Sequence, residues 1–151
     1  IEKDMWGKRF PVYFRWKEQW YHRYQKTGYI DSLTGFRYSG VMSKNDCINY
    51  PIQGSAFHCL LWSLVHLDQY LYNHGYDSRI VGQIHDSIVL DIHPDELEDV
   101  VRLIRKITTD ELLSNWKWII VPLEVEFEIC DVDASWADKK ELNFFLNILG
   151  L

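Results

Sequence analysis

The sequence predicts an α+β fold, helices packed on an antiparallel sheet, from three observations. Apolar residues recur at helical steps from about Asn49 to Asn73 and again after Pro94. Residues 79–92, RIVGQIHDSIVLDI, alternate on either side of a His85-Asp86 break. VPLEVEFEI, residues 121–129, alternates apolar side chains with glutamates. Such alternation marks strands with one face buried.

Taken in order, Tyr13, Trp16, Trp20 and Tyr24 fall at mixed helical spacing from about Phe10 to Lys26, and Gly28 is a natural stop. GYIDSLTGFRYSG sets short β-friendly runs around Thr34-Gly35, giving a small hairpin or extended loop. Phe57, Leu60, Leu61, Leu64, Leu67 and Leu71 predict one buried stripe on the next helix, which Gly75 closes. In the hairpin, Ile80 and Ile84 share one face about Gly82, and Ile88, Leu90 and Ile92 share one face after the turn. Pro94 opens a helix to about Leu113 whose buried positions are Leu97, Val100, Val101, Ile104 and Ile107. Asp95, Glu96 and Glu98 stand in its first turn, where the helix dipole favours acid. No repeat, low-complexity tract or linker interrupts this order.

The chain has 151 residues, 47% hydrophobic, which is material for one sizeable core and points to one compact domain. Its 22 acidic and 16 basic residues give a formal charge of −6, so it is not the basic body of a free-standing DNA binder. Cys47, Cys59 and Cys130 are odd in number, far apart and without C-x-x-C spacing, which argues against a disulfide framework and a zinc site and suggests a reducing, intracellular setting. With no apolar run of about 18 residues and no signal-peptide pattern, a soluble protein without membrane contact is expected. The start at Ile1 rather than Met suggests a cut, processed or partial chain.

A hairpin tip projects its carboxylate from a rigid support, and phosphoryl transfer needs such a group to hold divalent metal. Taken alone, Asp86 is more often a turn residue bonding its own backbone, and His85 a structural one. Asn49 caps a helix near Pro51 and Gln53 is solvated in the same plain reading. Gly54, Ser55 and Ala56 permit close approach of DNA or, equally, of another element. Arg37 is an ordinary exposed cation. The Trp and Tyr residues between 6 and 29 either stack on single-stranded bases or, as the usual burial of aromatics favours, pack against more protein.

Four segments in order change that balance. TGYIDSLTGFRY, NYPIQGSAFHCLL, QIHDSIVLDIHPDELEDV, and VPLEVEFEI followed by Trp136 resemble successive segments of family A (DNA polymerase I-like) DNA polymerases, from Gly28 to Trp136. The resemblance implies that residues 1–45 are the C-terminal part of a fingers subdomain and 46–151 the C-terminal part of a palm, its antiparallel sheet carrying the His-Asp hairpin against long helices. It implies that Asp86 is one of two aspartates holding a pair of Mg²⁺ ions, with His85 beside the primer terminus. Asn49 and Gln53 would face the minor groove of the nascent duplex, where amide donors test pair geometry without reading sequence. Gln83 would face the cleft, and Arg37 template or phosphate. The implied partners are primer-template DNA, deoxynucleoside triphosphates and a second polymerase fragment.

Ser87 departs from the pattern, standing where many members have Glu; a hydroxyl is a poor ligand substitute unless Asp91 partly replaces it. Asn45 stands where an arginine is expected, and the stretch from Tyr38 to Asn49 is short, as in viral members. No segment resembles the first aspartate motif or the nucleotide-binding helix of the fingers. A part of a DNA polymerase, inactive alone, is therefore expected, with a replication or a repair role left open. The alternatives are a non-catalytic DNA-binding module of the same fold, and a metal phosphoesterase built on Asp86 with Asp91 or His93. The second is disfavoured because residues 86 and 91 lie about 16 Å apart along an extended strand.

Overall fold

The computed structural model describes residues 4–142. The chain divides into two compact units, Ile1–His58 and Cys59–Leu151. The single core expected from composition is in fact two apolar clusters, one in each unit.

In the first unit a π-helical turn, Met5–Arg9, leads into α1 (Pro11–Thr27). Proline suits the first helical position because its missing N–H would have had no partner there. Gly28 ends α1 in the left-handed region, φ 74°, with its N–H donating to the Tyr24 carbonyl. The strands β1 (Tyr29–Asp31) and β2 (Arg37–Ser39) then pair antiparallel.

Helix α2 (Lys44–Asn73) begins before Asn49 because Ser43 and Asp46 cap each other. The Ser43 N–H donates to Asp46 Oδ2 at 2.9 Å, and the Asp46 N–H donates to Ser43 Oγ at 3.2 Å. Ile30, Met42 and Cys47 form the cluster, with Trp20, Tyr21, Tyr24 and Tyr38 packed on it.

Pro51 lies inside α2 and has no N–H to give the Cys47 carbonyl one turn earlier. The Trp20 indole supplies the missing donor, Nε1 to Cys47 O at 3.0 Å. One proline is thereby tolerated in the helix, and α1 is tied to it.

In the second unit Leu67 and Leu71 of α2 meet Val100, Leu103 and Ile104 of α3 (Leu97–Arg105) and Ile107 of the π-helical stretch Lys106–Glu111. Burying each such side chain is worth about 1.5–3 kcal/mol. A short α4 (Leu112–Asn115) follows. Of the stripe expected on α2, Leu67 and Leu71 are buried, whereas Phe57 and Leu61 are 47% and 43% exposed.

The strands β3 (Arg79–Ile84) and β4 (Ser87–Asp91) form an antiparallel hairpin whose register runs from Arg79↔Asp91 to Ile84↔Ser87. Between Ile80↔Leu90 and Gly82↔Val89 the register shifts, leaving Val81 as the extra residue of a bulge. Its effect is on parity. Ile80 faces the core with Leu90, but beyond the bulge Gln83 pairs with Ile88 on that face, and Ile84 turns to solvent, 52% exposed. The expectation that Ile80 and Ile84 share a face fails for this reason.

Ser78, fully buried at the entry to β3, locks the hairpin to the start of the following helix. Its Oγ donates to Glu96 Oε2 at 2.5 Å and accepts from the His93 N–H at 3.0 Å. The N–H groups of Asp77 and Ser78 also donate to the Glu96 carboxylate, each at 2.9 Å.

The expected strand at 121–129 is regular only at β5 (Glu128–Ile129), which pairs with β6 (Lys140–Glu141). Its alternation is real: Leu123, Val125, Phe127 and Ile129 are half-buried and the intervening glutamates exposed. A ladder needs a second backbone, and the described residues supply one only at the end of the stretch, where Glu128 and Ile129 pair and the Phe127 carbonyl accepts from the Leu142 N–H at 2.9 Å.

Candidate active site

Asp86 occupies the tip of the β3–β4 hairpin as the second residue of a two-residue loop. His85, the first, has φ 52°, the left-handed conformation that such loops require and glycine normally fills. Histidine is held there at a cost, about 1–2 kcal/mol for an L-residue. The Gln83 side chain donates from Nε2 to the His85 carbonyl, fastening the turn from the strand below. The same bulge that exposes Ile84 places Gln83 where it can do this.

Asp86 is exposed, and no described residue hydrogen-bonds to or pairs with its carboxylate. The backbone-bonding role usual for aspartate in a turn is thus not filled, and the oxygens face outward. Ser87 beside it is also exposed. Asp91 pairs with Arg79 at the opposite end of the hairpin, away from Asp86, as the extended strand requires. Among the described residues no group of three or more His, Cys, Asp or Glu converges to hold a metal ion.

In the first unit Asn49 and Gln53 stand one turn apart on α2, both exposed. Neither amide has a hydrogen-bond partner among the described residues. Because α2 starts at Lys44, Asn49 is well inside the helix and does not cap it. Pro51 between them sits on the buried side.

Of the small residues that follow, Gly54 and Ser55 are explained by packing, whereas Ala56 is exposed. A Cβ on Gly54 would stand 1.7 Å from Tyr38 Oη and 2.9 Å from its Cζ, so glycine makes room for the phenol. Ser55, buried, donates to the Pro51 carbonyl at 2.5 Å and accepts from the Leu33 N–H at 3.0 Å. Thr34 Oγ1 meets His58 Nδ1 at 2.5 Å and Ser32 Oγ at 2.9 Å. This network clamps the β1–β2 loop to α2, and spacing alone gave no sign of it.

Arg37 is largely committed. Its Nε and Nη2 donate to Asp31 Oδ1 and Oδ2 at 2.8 and 3.2 Å across the β1–β2 pair, and its guanidinium lies 3.7 Å from the Tyr29 ring centroid. The hydrogen bond from Arg37 holds the Asp31 carboxyl below its usual range, and Asp31 raises Arg37 in turn.

No helix among the described residues is long and apolar enough to cross a membrane. The sequence profile of DNA polymerase family A matches residues 3–138. The chain is 29% identical over 144 residues to DNA polymerase I of Chloroflexus aurantiacus, covering 89% of this chain and 14% of that polymerase. It is 30% identical over 136 residues to the DNA polymerase of Bacillus phage SP01, covering 81% of this chain and 15% of that one. A similar solved structure is the POL domain of Pol1 from M. smegmatis in complex with DNA primer-template and dNTP. It superposes with a TM-score of 0.62 at 22% identity, over 71% of this chain and 21% of that one, a likeness of fold. The chain thus spans a small fraction of the length of its relatives.

Proposed function

Since the chain belongs to DNA polymerase family A, we propose that it is the C-terminal part of a DNA-directed DNA polymerase and supplies one carboxylate, Asp86, to the nucleotidyl-transfer centre. The observation that carries this reading is the unpartnered Asp86 carboxylate at the apex of a turn that holds His85 in a left-handed conformation. Strain persists where the surrounding structure imposes it, and it collects at functional sites.

Asp86 fits one half of a two-ion Mg²⁺ site, as a hard oxygen ligand free to coordinate. The other half comes from carboxylates outside the described residues. When bound, the metal pair supplies charge neutralisation at the triphosphate and a more acidic primer hydroxyl. His85 stands beside Asp86 to position the primer end, and Gln83 fixes the backbone on which both are carried.

The free amides of Asn49 and Gln53 suit the minor-groove acceptors that every base pair offers. In this reading residues 1–45 belong to the fingers and 46–151 to the palm. Arg37 keeps only Nη1 clear of its Asp31 pair, enough for a single phosphate contact. Primer-template DNA, nucleoside triphosphates and a fragment bearing the first aspartate are the partners. The acidic net charge is compatible with phosphate clamping elsewhere in the assembly. Exposed Val81, Ile84 and Ile120 in the second unit suit coverage by further polymerase sequence.

Primer extension with Mg²⁺ and four nucleotides tests this, using the chain alone, the complementary fragment alone, and the mixture. Extension should occur only in the mixture and fall at least about a thousandfold with Asp86→Ala, several kcal/mol of transition-state stabilisation. No extension in a verified complex would sink the reading and leave a non-catalytic DNA-binding module.

A further inference from the structure

We propose that the N-terminal half of α1, with the turn before it, is a stacking platform for single-stranded nucleic acid. Its side chains form a ring ladder: Trp6 to Tyr13 at 5.4 Å between centroids, Tyr13 to Trp16 at 5.6 Å, Trp16 to Trp20 at 5.7 Å. Trp20 is anchored in the first unit's cluster, but α1 has no buried residue, and Phe10 and Tyr13 are exposed. Arg9, Phe10, Tyr13 and Trp16 help line a surface recess of about 550 Å³.

The charge around the ladder selects the occupant. Residues 4–27 hold six Lys and Arg (8, 9, 15, 17, 23, 26) against two acids (4, 18), in a chain whose total is −6. Both acids are spent, Asp4 on Lys8 at 2.8 Å and Glu18 on Lys44 at 2.5 Å. Lys17 lies over the Trp6 and Tyr13 rings at 5.1 and 5.0 Å, and Arg9 has no ionic partner among the described residues.

Covering this face with an apolar protein surface would bury cations without counter-charges, which is strongly unfavourable. A single strand offers both complements at once: bases with π-faces for the rings and phosphates for Arg9, Arg15 and Lys17. A duplex hides its base faces and would gain only the phosphate term.

The site is independent of the polymerase reading, because its test needs neither metal nor nucleotide and its failure leaves Asp86 untouched. Fluorescence anisotropy with labelled oligothymidylate of about 20 nucleotides, at about 50 mM salt, should show binding by the chain at least about tenfold tighter than to a duplex of equal length. Tyr13→Ala should weaken it about fivefold or more. Arg9→Ala, on a side chain outside any core, should lower the slope of log affinity against log salt by about one. No binding, equal affinity for duplex, or unchanged affinity in both variants would overturn the platform and return the ladder to protein packing.

Discussion

The Tyr38 phenol occupies the space that a side chain on Gly54 would fill, its Oη 1.7 Å from the position of that Cβ. The glycine of the NYPIQGSA segment therefore serves the fit of the β1–β2 hairpin on α2.

Gly54→Ala sets two effects against each other. Alanine gains about 1 kcal/mol of helix propensity, while displacing the Tyr38 ring costs about 1–3 kcal/mol. Thermal denaturation should show a net loss, and Tyr38→Phe, which removes the nearest atom, should recover part of it. A stabilised Gly54→Ala protein would mean that the ring swings away freely.

Trp20→Phe keeps most of the apolar surface but strands the Cys47 carbonyl. The expected loss is about 1–3 kcal/mol by chemical denaturation. In a Pro51→Ala background the helix provides its own N–H, so the same Trp20→Phe change should cost distinctly less. Equal costs in both backgrounds would show that the indole bond is incidental.

His85→Gly relieves the left-handed turn, against the greater freedom glycine brings to the unfolded chain. The balance favours the variant by about 0.5–1 kcal/mol in melting experiments. Its primer extension in the mixed assembly should nevertheless fall. A variant both less stable and fully active would remove the case for strain retained by function.

Glu96 sets an acid limit on stability. The Ser78 hydroxyl first, then the Asp77 N–H, hold its carboxyl below the ordinary glutamate value. The folded value is thus lower than the unfolded one, so this contribution is complete above the ordinary range and lost as pH falls through the depressed value. The advantage of the parent chain over Glu96→Gln in melting temperature should shrink on acidification. A gap that did not change with pH would contradict the clamp.

Local patterns made α1, its Gly28 stop and the helix after Pro94 legible, because periodicity and end signals act within a few residues. Asp86 and His85 were legible as a turn for the same reason. The long start of α2 was missed because an aspartate stands where a capping box usually has Glu or Gln. The 121–127 stretch shows the right alternation yet lacks a ladder, since a sequence displays burial preference but not the presence of a neighbouring backbone. The Trp20 and Ser78 contacts join residues distant in the chain and became visible only with the fold.

Val81 works as a phase shifter. Below it the hairpin answers to the packing of the helices; above it the same strand presents the opposite set of side chains. Deleting this one residue would leave each cross-strand pair as it stands and close the ladder into plain alternation, with Ile80 and Gln83 still on one face. The extra residue is thus carried by one strand alone, and the register of the His85-Asp86 tip is set by the pairs above it.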